Sequence, residues 1–595
     1  MKPTTEILDR ISRNSRENKE EIFTRLYRYM LRPDLYYLAY KKLYANKGAG
    51  TKGVNDDTAD GFSEEKIGRI IKLLSDETYA PHPVRREYIQ RQNSAKKRPL
   101  GIPTFTDKLV QEVLRMILEA VYEPTFSYWS HGFRPNRSCH TALKSLKKGF
   151  AGVSWFIEGD IKACFDSIDH HVLVNVIGTK IKDARLIKLV WKFLKAGYME
   201  DWKYHATYSG CPQGGIVSPI LANIYLNELD KFVEKLADEF YKSRDRHHTA
   251  EYDKIAWKRS QTKKRLKSAK GQEKTHLFAL LKEQNAEIHK VPCMSRTDKV
   301  IKYIRYADDF IIGVKGDRED CERIKRQLSD FISQTLKMEL SEEKTLITHS
   351  SQYARFLGYD IRIRRDQTLK PHGNHVSRTL NGSVDMCVPF ADKIMPFLFH
   401  KSIIKQSKDG KIEPSARKYV IRNTELEIIS TYNSELRGIC NYYGLASNFN
   451  KLQFFEYLME YSCLKTLASK HNSTSSKIIR KYRDGKGGWS IPYETAKGTK
   501  RRGFAKFMDC KNADFYGDTV IDWAIKHSGS ITTFDKRLSA HVCELCGKTD
   551  VPLEIHHVNK VKNLKGKQFW EFMMIAKKRK TLAVCKSCHH SIHHP

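Results

Sequence analysis

Apolar residues recur in three different rhythms along this chain. Ile22-Phe23, Leu26-Tyr27 and the run from Tyr36 to Leu43 return at helical spacing, so residues 1 to about 85 are predicted to be helical, with a loop at Asn46 to Gly53. From 86 to about 380 short Ile-, Val- and Tyr-rich runs alternate with amphipathic stretches, which predicts a mixed α/β region. A charged segment at about 235–298, densest from Lys254 to Lys290, carries few strand formers and reads as a helical insertion on a solvated surface. Residues 381–490 return to a helical, basic pattern that ends near Asp484-Gly485-Lys486-Gly487-Gly488. A short basic region at 491–540 then leads into a Cys- and His-rich end at 541–595. No internal repeat or low-complexity tract interrupts this order.

Within the mixed region, Val300 to Arg305 and Ile311 to Val314 flank Tyr306-Ala307-Asp308-Asp309-Phe310, the pattern of a β-hairpin with two acids at its tip. By itself an Asp-Asp turn is commonly no more than a solvated turn. Upstream, Trp155 to Asp160 reads as a strand that ends at an acid and turns toward a helix. Asp160, Asp308 and Asp309 on one sheet edge would repel one another unless they held divalent cations, and two Mg²⁺ ions clamping a phosphoryl displacement answer that need. Between these acids, Pro212-Gln213-Gly214-Gly215 leads into an apolar helix, a loop whose backbone can approach a nucleotide closely.

Charge sharpens the picture. The 595 residues carry 105 Lys and Arg against 69 Asp and Glu, a net charge of +36 spread along the chain. Such self-repulsion calls for a polyanionic partner. No apolar run approaches the length a bilayer needs, so no membrane partner is expected. The N-terminus lacks an apolar signal core, and its early acids Glu17, Glu20 and Glu21 argue against a transit peptide, pointing to a reducing, cytoplasmic setting. In that setting four of the 13 cysteines, Cys543, Cys546, Cys585 and Cys588, form two Cys-x-x-Cys pairs suited to tetrahedral Zn²⁺ rather than to disulfides. Between and after these pairs lie Leu553-Glu554-Ile555-His556-His557 on a predicted strand and His589 to His594 on a predicted helix. Residues four apart share a helix face, so His589 and His593 can converge on one ion. His590 and His594 have the same spacing.

The ordered motifs resemble the reverse transcriptases encoded within group II introns. The resemblance is carried by Lys97-Arg98-Pro99-Leu100-Gly101-Ile102-Pro103, His131-Gly132-Phe133-Arg134-Pro135, the Asp160 segment, the Gln213 loop and Tyr306-Ala307-Asp308-Asp309. Leu340 to Thr345, Phe356-Leu357-Gly358-Tyr359 and Arg437 to Ala446 extend it over nearly the whole chain. It implies a multidomain α+β architecture. Residues 1–85 would be an N-terminal helical extension and the start of the fingers, and 86–380 the fingers and palm of a right-hand polymerase. Residues 381–490 would form an α-helical thumb or maturase domain, 491–540 a small DNA-binding region, and 541–595 a zinc-containing HNH module of the ββα-metal type.

The same resemblance implies roles. Asp160, Asp308 and Asp309, helped by the Ile161 carbonyl, would hold Mg²⁺. Phe165 would exclude a 2′-hydroxyl and so select dNTPs, although core packing also accounts for a Phe there. Arg98, with Arg91 or Lys97, would hold the triphosphate. Gln213 would line the nascent base pair and Lys344 protonate the leaving pyrophosphate, unless it is simply an exposed helix lysine. His556, His589 and His593 would bind the nuclease metal and His557 act as general base. Asn559 and Asn563 both suit the motif's central Asn, and a structural zinc knuckle is the competing reading of this end. Of the aromatics between Tyr442 and Tyr461, most are expected in the core, while Lys470, Lys477, Arg480, Lys481 and Arg483 suit phosphate contacts. The partners implied are intron RNA, duplex target DNA and dNTPs, in a cytoplasmic ribonucleoprotein of a bacterium or organelle, with a homodimer admissible. The function implied joins splicing assistance, DNA nicking and target-primed cDNA synthesis. The alternatives are a splicing maturase with vestigial catalytic sites and a polymerase that copies RNA into RNA.

Overall fold

A computed structural model describes residues 4–46, 48–90, 97–211, 214–243, 247–294, 298–366, 368–372, 375–378, 381–407, 409–485, 488–495, 498–511 and 537–594. Arg91 and Gln213 lie outside these described residues, as does the greater part of 491–540.

The two apolar runs around the Asp-Asp pair do form a hairpin, Val300–Tyr306 and Asp309–Lys315. Its second strand pairs antiparallel with Trp155–Asp160, which pairs in turn with Leu346–His349, giving a four-stranded antiparallel sheet. Successive strand residues face opposite sides, and here both sides are buried. Ile157, Phe310, Ile312 and Val314 enter one core, while Phe156, Ile304 and Ile311 enter another. Burial on both faces explains why these strands read as continuous apolar runs rather than as strict alternation.

The first core is built largely from helices. Phe105–Tyr122 is almost entirely buried, and its N-cap Thr104 accepts a hydrogen bond from the Asp107 backbone N–H. Ser218–Phe240, opened by Pro219 in its first turn, packs against the Val300–Tyr306 strand of the sheet. A second sheet, ordered Lys97–Ile102, Val84–Gln90, Tyr198–Glu200 and Lys203–His205, carries Arg98. The charged insertion forms two helices, Ala250–Ser268 and Gly271–Ile288, mostly exposed and packed chiefly on each other.

The second core joins the other face of the sheet to helices Glu425–Tyr442 and Leu452–Lys470. This region is less purely helical than its pattern predicts, since Ile404–Gln406 and Ile412–Pro414 make a small hairpin. The paired strands Ser490–Thr495 and Gly498–Gly503 pack onto it, with Asn433 Nδ2 donating to the Gly503 carbonyl, and the core continues to Cys510.

The Cys- and His-rich end does not stand apart. Its strands Leu553–His557 and Thr581–Cys585 receive Phe62–Ser63 at their free edge, and its apolar residues run into the first core.

Candidate active site and metal centres

Strand register places the first and third acids directly opposite each other, Asp160 beside Asp309, with Asp308 in the adjoining turn. Ala307 turns the chain at φ 58°. Sequence reasoning missed what holds that turn. Arg305, fully buried, donates from Nε and Nη2 to the two oxygens of the equally buried Asp230 at 2.7 and 2.6 Å. Its Nη1 donates to the Ala307 carbonyl at 2.9 Å, tying the pair to the turn itself. Tyr303 adds a hydroxyl bond to Asp230 at 2.8 Å. From the other side Gly132 lies against the turn so closely that a Cβ there would sit 2.3 Å from the Ala307 nitrogen. The Gly132 carbonyl accepts from Asn223 Nδ2 at 2.8 Å. The His131 motif and Asn223, on the helix that follows the Gln213 loop, thus cradle the hairpin.

The acids behave as a strained set of like charges. Burial, then Asp308 and Asp160, push Asp309 up to about 7. Burial also raises Asp308, an effect that Asp160 reinforces and Arg98 and Lys344 oppose. Lys344 Nζ lies 2.6 Å from Asp160 Oδ2. It sits in a turn rather than on a helix, so the helix-lysine alternative is corrected: the fold aims this residue at the acids. Lys162 N–H donates to Glu339 O and Ser341 N–H to Asp160 O, which fixes the lysine's turn to the strand end. The three carboxylates are not among the close-set ligand clusters of the described residues, so their acids converge as a sheet edge and not as a finished cage. The donor set, all oxygen and backed by a lysine, suits a hard divalent cation.

Sign and window of a pH effect follow from Asp309. Its folded form binds a proton more tightly than the unfolded chain, so without divalent ions stability falls as the pH rises from 3.8 to about 7. Asp309→Asn is expected to unfold at a higher temperature than the unaltered protein at pH 8 and at the same temperature at pH 4. Equal midpoints at both values would remove the repulsion from the account.

Phe165 is half-buried and meets the exposed ring of Phe133 edge-on, with centroids 6.1 Å apart. Its carbonyl accepts from Cys211 N–H at 2.7 Å, which seats the ring on the loop between Asp160 and helix His170–Lys180. Ile161, also buried, follows Asp160 and bridges Leu340. Lys97 and Arg98 are exposed on their strand. A cavity of 440 Å³ lies between that strand and the loop, lined by Arg86, Pro99, Gly101, Asp166, Tyr198 and Gly210 among others.

At the other end, Cys543, Cys546, Cys585 and Cys588 bring their sulfurs within 4.8 Å of one another. Cys546 Sγ and Cys585 Sγ are 3.9 Å apart. A zinc tetrahedron with bonds near 2.3 Å has edges of about 3.8 Å, so the site fits that ion. Burial opposes ionisation of Cys585, but hydrogen bonds from Ser587, Cys588 and Cys543 prevail and lower it to about 6, favouring a thiolate.

A second cluster gathers His556, His589 and His593, again within 4.8 Å, together with Asp60. His589 and His593 approach through Nε2 atoms 3.3 Å apart. That is the edge expected for two ligands about 2.0–2.1 Å from one ion. Glu554 Oε2, 2.7 Å from His589 Nδ1, orients that ring from behind. His556 is buried against Trp570, and among the described residues neither ring nitrogen makes a well-formed hydrogen bond, Nδ1 lying 3.4 Å from Asp60 Oδ1. These features fit a metal-binding trio. His590 and His594 pair with each other instead, their rings tilted by 36° with centroids 4.6 Å apart. His557 points to the opposite side of its strand, its Nε2 3.2 Å from the Tyr44 carbonyl, and burial lowers its pKa. Asn559 packs against Gly50, and Asn563 is exposed on a short helical turn.

Of the aromatics between Tyr442 and Tyr461, most of which are expected in the core, Tyr443, Phe449 and Phe455 are buried, but Phe454, Tyr457 and Tyr461 are not. They form an exposed ladder on one helix, with successive centroids 6.3 and 4.5 Å apart. Their i, i+3, i+7 spacing marks a face, but not which side of it meets solvent.

Comparison with known proteins agrees with this layout. The family described as reverse transcriptase (RNA-dependent DNA polymerase) matches residues 89–252 and 276–361. Type II intron maturase matches 381–517, and AI2M/AI1M-like HNH endonuclease matches 543–589. The chain is 59% identical over 596 residues to the group II intron-encoded protein LtrA of Lactococcus lactis subsp. cremoris, with all of both chains covered. It is 35% identical to an uncharacterized 91 kDa protein in the cob intron of Schizosaccharomyces pombe, covering 98% of this chain and 72% of that one. It is 32% identical to a putative COX1/OXI3 intron 2 protein of Saccharomyces cerevisiae, covering 98% and 68%.

Proposed function

The chain belongs to the group II intron-encoded proteins, and from that premise we propose that Asp160, Asp308 and Asp309 polymerise cDNA while His556, His589 and His593 serve the nick that primes it. The protein joins a reverse transcriptase, an intron maturase and an HNH endonuclease, and acts on intron RNA and DNA in splicing and mobility. The finer assignments rest on the residues. The observation that carries them is the register of Asp160 against Asp309 with Asp308 in the turn.

Mg²⁺ at these three acids and the Ile161 carbonyl supplies charge neutralisation for phosphoryl transfer. The chain's own groups do the rest. Arg98, with Lys97 beside it, binds the triphosphate of a dNTP, and Arg91 and Gln213 are carried as further contacts from their motifs. Lys344, held at Asp160, is placed to deliver a proton to the leaving pyrophosphate. Phe165 and Phe133 wall the sugar position. The sheet with Asp160 is taken as palm, the Arg98 hairpin as fingers and the helices from Glu425 as thumb. The exposed ladder of Phe454, Tyr457 and Tyr461 offers stacking faces to RNA. Zn²⁺ at Cys543, Cys546, Cys585 and Cys588 is structural. His557 is proposed as the base that takes a proton from water at the DNA phosphate, which requires it to leave the Tyr44 carbonyl. The working state is a cytoplasmic ribonucleoprotein, with a homodimer admissible.

Purified protein incubated with its intron RNA, target duplex, Mg²⁺ and dNTPs tests the reading through separate measurement of spliced RNA, nicked DNA and extended cDNA. All three products are expected. Splicing with neither nick nor cDNA would reduce the protein to a maturase. In the same assay Phe165→Val should lower discrimination of dNTP over NTP by about 10–100-fold. Unchanged sugar selectivity would leave Phe165 as packing for Phe133 alone.

A further inference from the structure

The nuclease cluster contains one residue that its own module does not supply. Asp60 precedes the matched HNH residues 543–589 by almost the whole chain, and no motif in the sequence points to it. The fold nevertheless delivers it to the histidines with several attachments. Phe62 pairs with Ile555 and Ser63 with Glu554, adding a strand to the nuclease sheet. The Gly61 N–H donates to the Ile555 carbonyl at 3.0 Å. The His557 N–H donates to Asp60 Oδ1 at 2.6 Å, fixing the carboxylate itself. Phe62 stacks on Tyr40 with centroids 3.9 Å apart, so this segment is anchored to the helix Pro33–Leu43 as well. Nearby, Gly50 approaches Asn559 so closely that a Cβ would lie 2.5 Å from its side-chain oxygen.

With Oδ1 held, Oδ2 faces the cluster, 2.8 Å from His593 Nε2 and 3.3 Å from His589 Nε2. His556 Nδ1 lies 3.4 Å from Oδ1. One ligand atom from each of the four residues falls within 4.8 Å of the others. We propose that Asp60 is the fourth protein ligand of the nuclease ion, so that this metal site is assembled from both ends of the chain.

Charge and geometry both support the assignment, which rests on the nuclease reading of the three histidines. Three neutral imidazoles bring no negative charge to a divalent ion, and Asp60 provides it. Glu554 cannot take this part, because it is engaged at the far nitrogen of His589. A transition-metal ion such as Mn²⁺ accepts imidazole nitrogen and can take six ligands, so four from the protein leave two positions for a phosphate oxygen and water. The ion then favours the docked arrangement of Asp60 over any arrangement in which the segment has left, by mass action. The competing account makes Asp60 only an ion-pair partner for protonated histidines.

Zinc-loaded full-length protein titrated with Mn²⁺ by calorimetry separates these accounts. The unaltered protein should show a site that His589→Ala abolishes. Asp60→Asn retains the oxygen that accepts the His557 N–H but loses the charge, and should weaken that site at least tenfold. Asp60→Glu should recover part of the loss. Zinc content reports whether each variant keeps a folded module. Mn²⁺ should also slow hydrogen exchange at the Phe62 and Ser63 amides, and should not do so in Asp60→Asn. Undiminished Mn²⁺ affinity in Asp60→Asn, with the site still lost in His589→Ala, would overturn the proposal and leave the histidine site standing. Undiminished binding in His589→Ala would instead overturn the metal reading of the cluster.

Discussion

Asp308→Ala should abolish cDNA synthesis, by at least about 10³-fold or roughly 4 kcal/mol of transition-state stabilisation, while splicing assistance stays unchanged. Asp308 lies in the hairpin turn, and its carboxylate takes no part in the Arg305–Asp230 tether that holds that turn. Removing it relieves like-charge repulsion on Asp309, whose pKa is raised first by burial and then by Asp308. The fold therefore has no reason to suffer, and the residues of the second core that would grip RNA are untouched. Primer extension on intron RNA and splicing of a precursor, measured on one preparation, give the two numbers. Splicing lost in proportion to cDNA synthesis, at unaltered RNA affinity and melting, would mean that the two activities do not have separable residues.

The largest effect on stability is expected at Asp230. Arg305 and Asp230 are both fully buried, and removing one partner leaves the other as an unpaired buried charge, at a cost of about 3–5 kcal/mol. Asp230→Ala should therefore shift the denaturant midpoint sharply and lose polymerase activity. Replacing both residues by apolar ones of similar volume, Asp230→Leu with Arg305→Met, is expected to restore most of the stability, since a buried ion pair rarely outperforms good apolar packing. It should not restore cDNA synthesis, because the bond from Arg305 Nη1 to the Ala307 carbonyl is lost with the arginine. A double variant that is both stable and fully active would show that the turn holds its shape without the tether.

The acids were legible because their signal is local: two apolar runs with carboxylates at the tip, and a strand ending in an acid. Spacing likewise exposed the zinc cysteines, and the i, i+4 histidines pointed to a shared ion. What could not be read depends on contacts between distant segments. Arg305 looks like the polar residue of an ordinary strand, and Asp230 like one acid of a charged helix; only packing turns them into a buried pair. Helical periodicity gives Phe454, Tyr457 and Tyr461 a face but not its neighbours, so an expectation that most of these aromatics are core cannot single out the three that lie outside. Lys344 was ambiguous for the same reason, until the turn at Ser341 brought it to Asp160. Asp60 carries no local mark at all. Its histidine partners lie nearly the whole length of the chain away, and a two-residue strand is too short to announce itself.

That separation also orders events during synthesis. Phe62 can stack on Tyr40 as soon as the first helices have left the ribosome, but the strand it will join does not yet exist. At about 5–20 residues per second, the 497 residues between Asp60 and His557 take about 25–100 s to be made. Throughout that interval the nascent chain can fold its polymerase sheet and begin to hold RNA, while its cutting centre is still short of all three histidines. The ability to break DNA is therefore acquired last, by a polypeptide whose copying machinery is already in place.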